Sequence, residues 1–221
     1  MRAFSVSVLL LLSVLLLAGC TARDPAARAF SYAEQDFSAE VTGSVTRLSA
    51  DGYTGDASLV GERLTDTPQD FSAAVTARVG KGDAEAGEPV LCSLEVTYTD
   101  PPALRGMTVT YTRGDAGQAR VVATRTVADG SGGDRTITID LSATDPAVRD
   151  ALLAPGAVLW PTGDVTAVSP TSGGMYKITR SEGAGDGARE AIFSFSEGQN
   201  LPVGVVWSSP ARRVEIEIKQ G

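Results

Sequence analysis

From residue 90 onward this chain places apolar side chains at alternate positions in short runs, each closed by turn residues. A period of two puts successive side chains on opposite faces of a strand, so the pattern commits the chain to sheet. The last run states it most plainly. Val214, Ile216 and Ile218 alternate with Arg213, Glu215, Glu217 and Lys219, giving one core face and one wet face. Earlier, Val90, Cys92, Leu94, Val96 and Tyr98 share one face, which places Cys92 in the core, where free cysteines usually lie. Asp100-Pro101-Pro102 ends that strand, because proline lacks the ladder donor and restricts its predecessor. Strands at 107–112, 119–127 and 135–141 then alternate with turns at 113–117 and 129–134.

The first half repeats itself once. Phe37-Ser38-Ala39-Glu40-Val41-Thr42-Gly43-Ser44-Val45 and Phe71-Ser72-Ala73-Ala74-Val75-Thr76-Ala77-Arg78-Val79 agree at six of nine positions. A repeat at this spacing can signal a solenoid, but with no third copy the better reading is two similar strands paired in one sheet. Turns at Asp51-Gly52 and 65–70 flank a further strand expected at 57–64.

One helix interrupts the strands. Thr144 or Asp145 can cap it, Pro146 sits at the first helical position, and residues 147–154 are mostly helix formers. Pro155-Gly156 is expected to stop it, giving a helix near 145–154. Val148 and Leu152, with Ala151, form an apolar stripe to lay on the sheet. Strands resume at 157–160, 165–168, 175–180, 188–196 and 203–207, with turns at 172–174 and 182–187. The fold class is therefore mainly β: a curved antiparallel sheet of about ten strands with one covering helix.

Composition narrows the chemistry. The chain has 19 basic and 27 acidic side chains, net −8, and no histidine. This balance leaves no basic surface for nucleic acid. The lack of histidine removes the usual general base and the commonest metal ligand. Two cysteines and scattered carboxylates make a poor metal set, and nothing calls for a cofactor. Glu215 and Glu217 lie two apart on a wet strand face, with no burial to separate their pKa values for acid/base work. The glycine-rich runs 129–134 and 183–187 lack the strand–loop–helix setting of a phosphate cradle and the ligand ladder of a calcium loop, so they read as turns. No nucleophile–base pair stands out, and no enzyme is expected.

The N-terminus carries the clearest address. Arg2 precedes the apolar run 8–17, which ends in Leu17-Ala18-Gly19-Cys20. The run is too short to cross roughly 30 Å of hydrocarbon comfortably. An ordinary secretory leader needs the small residues but not the cysteine. The segment resembles the lipobox of bacterial lipoproteins. That resemblance implies removal of residues 1–19, acylation of Cys20, and a membrane partner held through lipid on the extracytoplasmic face. Residues 20–29, small and polar with one proline, then form a tether, and 30–221 form a single domain. Without Arg2 the mature chain has 18 basic and 27 acidic side chains, net −9, so membrane contact would come through lipid and apolar surface rather than charge. With Cys20 acylated, Cys92 has no disulfide partner.

The many strands, the single inserted helix and the lipidated N-terminus together resemble the half-barrel lipoprotein carrier superfamily. Residues 94–106, LEVTYTDPPALRG, followed by 107–111, are similar to that family's strand–proline–turn–strand segment, and Asn200-Leu201-Pro202-Val203 to its closing hairpin. The resemblance implies a lipid or acyl chain held between curved sheet and helix. Val148 and Leu152 would line that space with Trp160, and Trp207 is a further candidate contact, although both tryptophans also suit a packed core. The alternative is a surface interaction lipoprotein with a filled core and no ligand.

Overall fold

The structure, a computed structural model, describes residues 29–47, 68–82, 88–114, 118–128 and 133–219. The leader, Cys20, most of the tether and the strand expected at 57–64 lie outside the described residues. A short 3-10 turn, Phe30–Glu34, leads into β1 (Phe37–Arg47), β2 (Gln69–Lys81), β3 (Pro89–Asp100), β4 (Met107–Arg113), β5 (Ala119–Ala128) and β6 (Asp134–Asp140). Helix α1 (Pro146–Ala157) follows. Then come β7 (Asp164–Pro170), β8 (Met175–Glu182), β9 (Arg189–Ser196), β10 (Gly204–Ser209) and β11 (Arg212–Lys219).

All eleven strands form one antiparallel sheet in the order β6-β5-β4-β3-β2-β1-β11-β10-β9-β8-β7. Two meanders thus meet where β1 pairs with β11, and among the described residues the sheet's edges are β6 and β7. The two repeated segments are neighbours, with Phe37 opposite Ala77 and Val41 opposite Ala73. At the junction of the meanders, Gly43 lets β1 close on β11: an added Cβ there would fall on the Glu215 carbonyl.

Because α1 connects one edge of the sheet to the other, it must cross a face, and that inner face is where the apolar rows converge. One row runs through cross-strand partners Ala39, Val75, Val96, Val109 and Ala123 to Ile139. Another runs through Gly43, Ile216, Val205, Phe193 and Ile178 to Val168. Their central members are buried, and no polar or charged residue is buried among the described ones. The outer face carries the alternate polar set, including Glu215, which pairs with Arg213 at 2.7 Å.

The strand alternation fails in one place. Arg78 faces Ser93 and Val79 faces Leu91, leaving Cys92 as the extra residue of a β-bulge. Leu94, Val96 and Tyr98 keep the inner face, but Cys92 is exposed. Its sulfur lies where a Cβ on Gly80 would come within 2.6 Å. The expectation of a core cysteine is therefore corrected, the bulge having turned that side chain outward. A water-soluble thiol reagent should label Cys92 in the folded protein within a few-fold of its rate in denaturant. Labelling confined to unfolded protein would contradict the bulge.

The helix also departs from its expected end. Asp145 caps it, its carboxylate accepting the Ala147 N–H at 2.8 Å, with Pro146 at the start. Pro155 and Gly156 are inside it rather than beyond it. An internal proline forfeits a ladder bond and crowds the preceding turn, at a cost of about 3 kcal/mol. Here Leu153, Ala154, Pro155 and Gly156 are all buried, and packing of that last turn on the sheet offsets the loss. Residues 157–160, expected as a strand, continue the helical turn: Val158 donates to Ala154 O, Leu159 to Gly156 O and Trp160 to Ala157 O.

Candidate ligand site on the inner face

Helix α1 packs chiefly over β2 and β3. Gly156 makes this possible, since a Cβ at that position would lie 2.8 Å from Leu94 Cδ1. Two tyrosines fasten the helix and its extension. The Tyr98 hydroxyl donates to Leu152 O at 2.8 Å, and the Tyr32 hydroxyl donates to Leu159 O at 2.5 Å. Both rings are buried. Burial pushes both phenol pKa values well above their ordinary range, with Arg180 pulling that of Tyr32 partly back.

The Phe30–Glu34 turn, which borders β2 and β3, sends Phe30 over the other half of the inner face. The Phe30 ring stands edge-on to Phe193 and Phe195, with centroids 5.0 and 5.6 Å away. The Arg180 guanidinium lies over the Phe30 ring, 4.8 Å from its centroid. Its Nε donates to Thr162 O at 3.0 Å and its Nη2 to Gly163 O. Partial burial lowers the Arg180 pKa, and the neighbouring Tyr32 and Asp164 work against that shift. Arg180 thus pins the chain leaving α1 to the aromatic cluster.

Among the described residues these covers stop short of both sheet edges. Ile137 and Ile139 on β6 are 43 % and 54 % exposed, and Val165 and Val168 on β7 are 40 % and 43 % exposed. The residues expected to line a ligand space are not gathered into one pocket. Val148 is 41 % exposed, so the expectation that it faces an enclosed apolar space is corrected. The stripe is rotated: Leu153 and Ala154 lead the buried face, which sets Val148 toward water. Leu152, Trp160 and Trp207 are half-buried and pack against the common core. Two open grooves, about 710 and 550 Å³, lie along β1, β2 and β11, the first bordered also by Asn200 and Leu201 and the second by Asp100, Ser194 and β10, and none of these four residues lines either.

Sequence reasoning missed the tyrosine fastenings and the uncovered ends of the rows. Alternation does place Tyr98, Ile137 and Ile139 on a common face. What it lacks is the length of the cover above them. Among the described residues no cluster of three His, Cys, Asp or Glu side chains could hold a metal.

No protein-family model matches the chain, and no curated protein matches it. Among solved structures it is similar to a DUF1329 family protein from Desulfovibrio piger, at 9% identity and a TM-score of 0.39, covering 89% of this chain and 92% of that one. It is also similar to an outer membrane lipoprotein-sorting protein domain from Vibrio parahaemolyticus, at 6% identity and a TM-score of 0.30, covering 84% of each chain.

Proposed function

We propose that this chain is a lipid-anchored extracytoplasmic domain that binds an apolar chain, such as an acyl chain, on the inner face of its open half-barrel, and that it is a binding domain rather than an enzyme. The observation that carries the reading is the row ending on Ile139: an apolar face that outruns its cover and stays exposed at β6 beside Ile137. A methylene chain laid along these isoleucines would gain roughly 0.8 kcal/mol per buried CH₂. It could extend beneath α1 if the helix lifts.

Titration with a fluorescent fatty acid tests this. The wild-type protein should bind, and Ile137→Asp/Ile139→Asp should weaken binding at least about tenfold, or 1.4 kcal/mol, in protein that still unfolds cooperatively, since both sites are about half exposed. No binding by the wild type would favour the second reading, an interaction domain with a filled core. Gly156 seated directly on Leu94 supports that alternative.

The anchor has its own test. Cys20→Ser should leave an unprocessed precursor that takes up no acyl label. A mutant that is cut at the same bond and stays on the membrane without label would rule the lipobox out.

A further inference from the structure

We propose that β7 and the turn after it form the surface on which the domain rests against the lipid bilayer. The proposal rests on the anchor at Cys20 argued above and adds an orientation to it.

The first observation is where the described chain begins. Ala29 is buried, and Phe30 sits on Phe193 and Phe195 beneath Arg180. Arg180 is the cross-strand partner of Val165, and Phe193 lies in the row that ends through Ile178 on Val168. The chain therefore enters the domain with Phe30 over β8 and β9, in the half of the sheet that ends at β7. Only about nine residues separate Cys20 from Ala29, a reach of at most roughly 30 Å. A domain held that closely presents to the bilayer the side from which its tether leaves.

The second observation is the chemistry of that side. Val165, Val168 and Met175 are all exposed. Residues 165–175, VTAVSPTSGGM, carry no charge, in a chain where charged residues make up 21%. The opposite edge, β6, carries Asp134, Arg135 and Asp140. Edge strands left in water are normally blunted with charge; β6 carries three charged residues, and β7 only Asp164 at its start.

The third observation excludes another strand as the occupant. Val165 faces Arg180 and Ala167 faces Thr179, so Thr166 is bulged, and Pro170 at the strand's end lacks a donor. Both features oppose edge-to-edge pairing. An edge that discourages strands and is uncharged beyond Asp164 suits the headgroup and upper acyl region of a bilayer. The acidic net charge points the same way, since it leaves apolar contact as the means of attachment.

Photolabelling tests the orientation. The chain from Cys20 onward, as Cys92→Ser, would be coupled through the Cys20 thiol to a maleimide lipid in phosphatidylcholine–phosphatidylglycerol vesicles containing a diazirine-bearing phosphatidylcholine. Chemical coupling makes the result independent of whether a cell acylates Cys20, which the Cys20→Ser experiment reads separately. After photolysis and digestion, lipid adducts should concentrate in 164–176 and be scarce in 134–140. Val165→Lys/Val168→Lys, both at exposed positions, should lower adduct yield in 164–176 about tenfold, because charge in the lipid layer is costly. Adducts spread evenly over the domain, or concentrated on β6, would overturn the proposal. So would a dimer of the uncoupled protein that Val168→Lys dissociates, since β7 would then pair copies of the chain.

Discussion

Stability should fall steeply above pH 10, by about 2.7 kcal/mol per pH unit, as two buried phenols that stay protonated in the folded protein ionise on unfolding. The sign follows from burial. Tyr32 and Tyr98 have folded pKa values raised above the ordinary tyrosine value, chiefly by desolvation. Above pH 10 the unfolded chain therefore binds fewer protons than the folded one. The stabilisation is fully present below pH 10 and is lost as pH rises toward the folded values. Each group contributes about 1.4 kcal/mol per unit, against a total stability of roughly 5–15 kcal/mol for domains of this kind. Urea midpoints measured from pH 8 to 11.5, with slopes compared among variants, check the claim. Tyr32→Phe and Tyr98→Phe should each lower stability at pH 8 by about 1–3 kcal/mol, leaving a carbonyl of the helix region without its donor. Each should also remove about half of the excess alkaline slope. A wild-type slope that either Phe variant leaves unchanged would mean that the lost stability comes from lysines and arginines instead.

The same two residues mark where sequence reading stops. Alternation is a local signal, so it identified most of the described strands and the inward faces of β11 and of β3 from Leu94 onward, though it also read 157–160 as strand where the chain makes a helical turn. These depend on residues two apart, whereas the pairing of the two repeated segments was legible from their shared sequence. It could not report that Tyr98 reaches Leu152 O or that Tyr32 reaches Leu159 O, at separations of 54 and 127 residues. Cys92 failed for a related reason. One inserted residue inverts every position beyond it, and the composition of 89–93 carries no mark of the bulge. At the helix, Pro155 is a sound local stop signal overruled by a tertiary contact. The last turn is worth keeping because Leu153 and Gly156 find the sheet beneath them. The ligand residues divide in the same way. Leu152, Trp160 and Trp207 do meet the core, as their size suggests, while Val148 is exposed because the helix is rotated about its axis relative to the expected stripe.

The contact of Gly156 with Leu94 is where the two functional readings diverge, and a double-mutant cycle across it should separate them. Leu94 is 2 % exposed, so Leu94→Ala should cost about 2–5 kcal/mol through lost burial and the cavity left behind. Gly156→Val pushes two methyl groups toward a position already within 2.8 Å of Leu94 Cδ1 at its Cβ, and overpacking of this kind costs about 1–3 kcal/mol. In the double variant the valine enters the space the leucine vacated. Its destabilisation should then fall short of the sum by about 0.5–3 kcal/mol, the range found for side chains in direct contact. A strictly additive result would mean that α1 does not sit on β3 as described. The functional consequence lies in the Leu94→Ala single variant. If the inner face takes up an acyl chain when α1 lifts, enlarging the space beneath Gly156 while loosening the helix should raise fluorescent fatty-acid affinity as it lowers stability. If the half-barrel is only a packed interaction domain, the same variant should lose stability and still bind nothing.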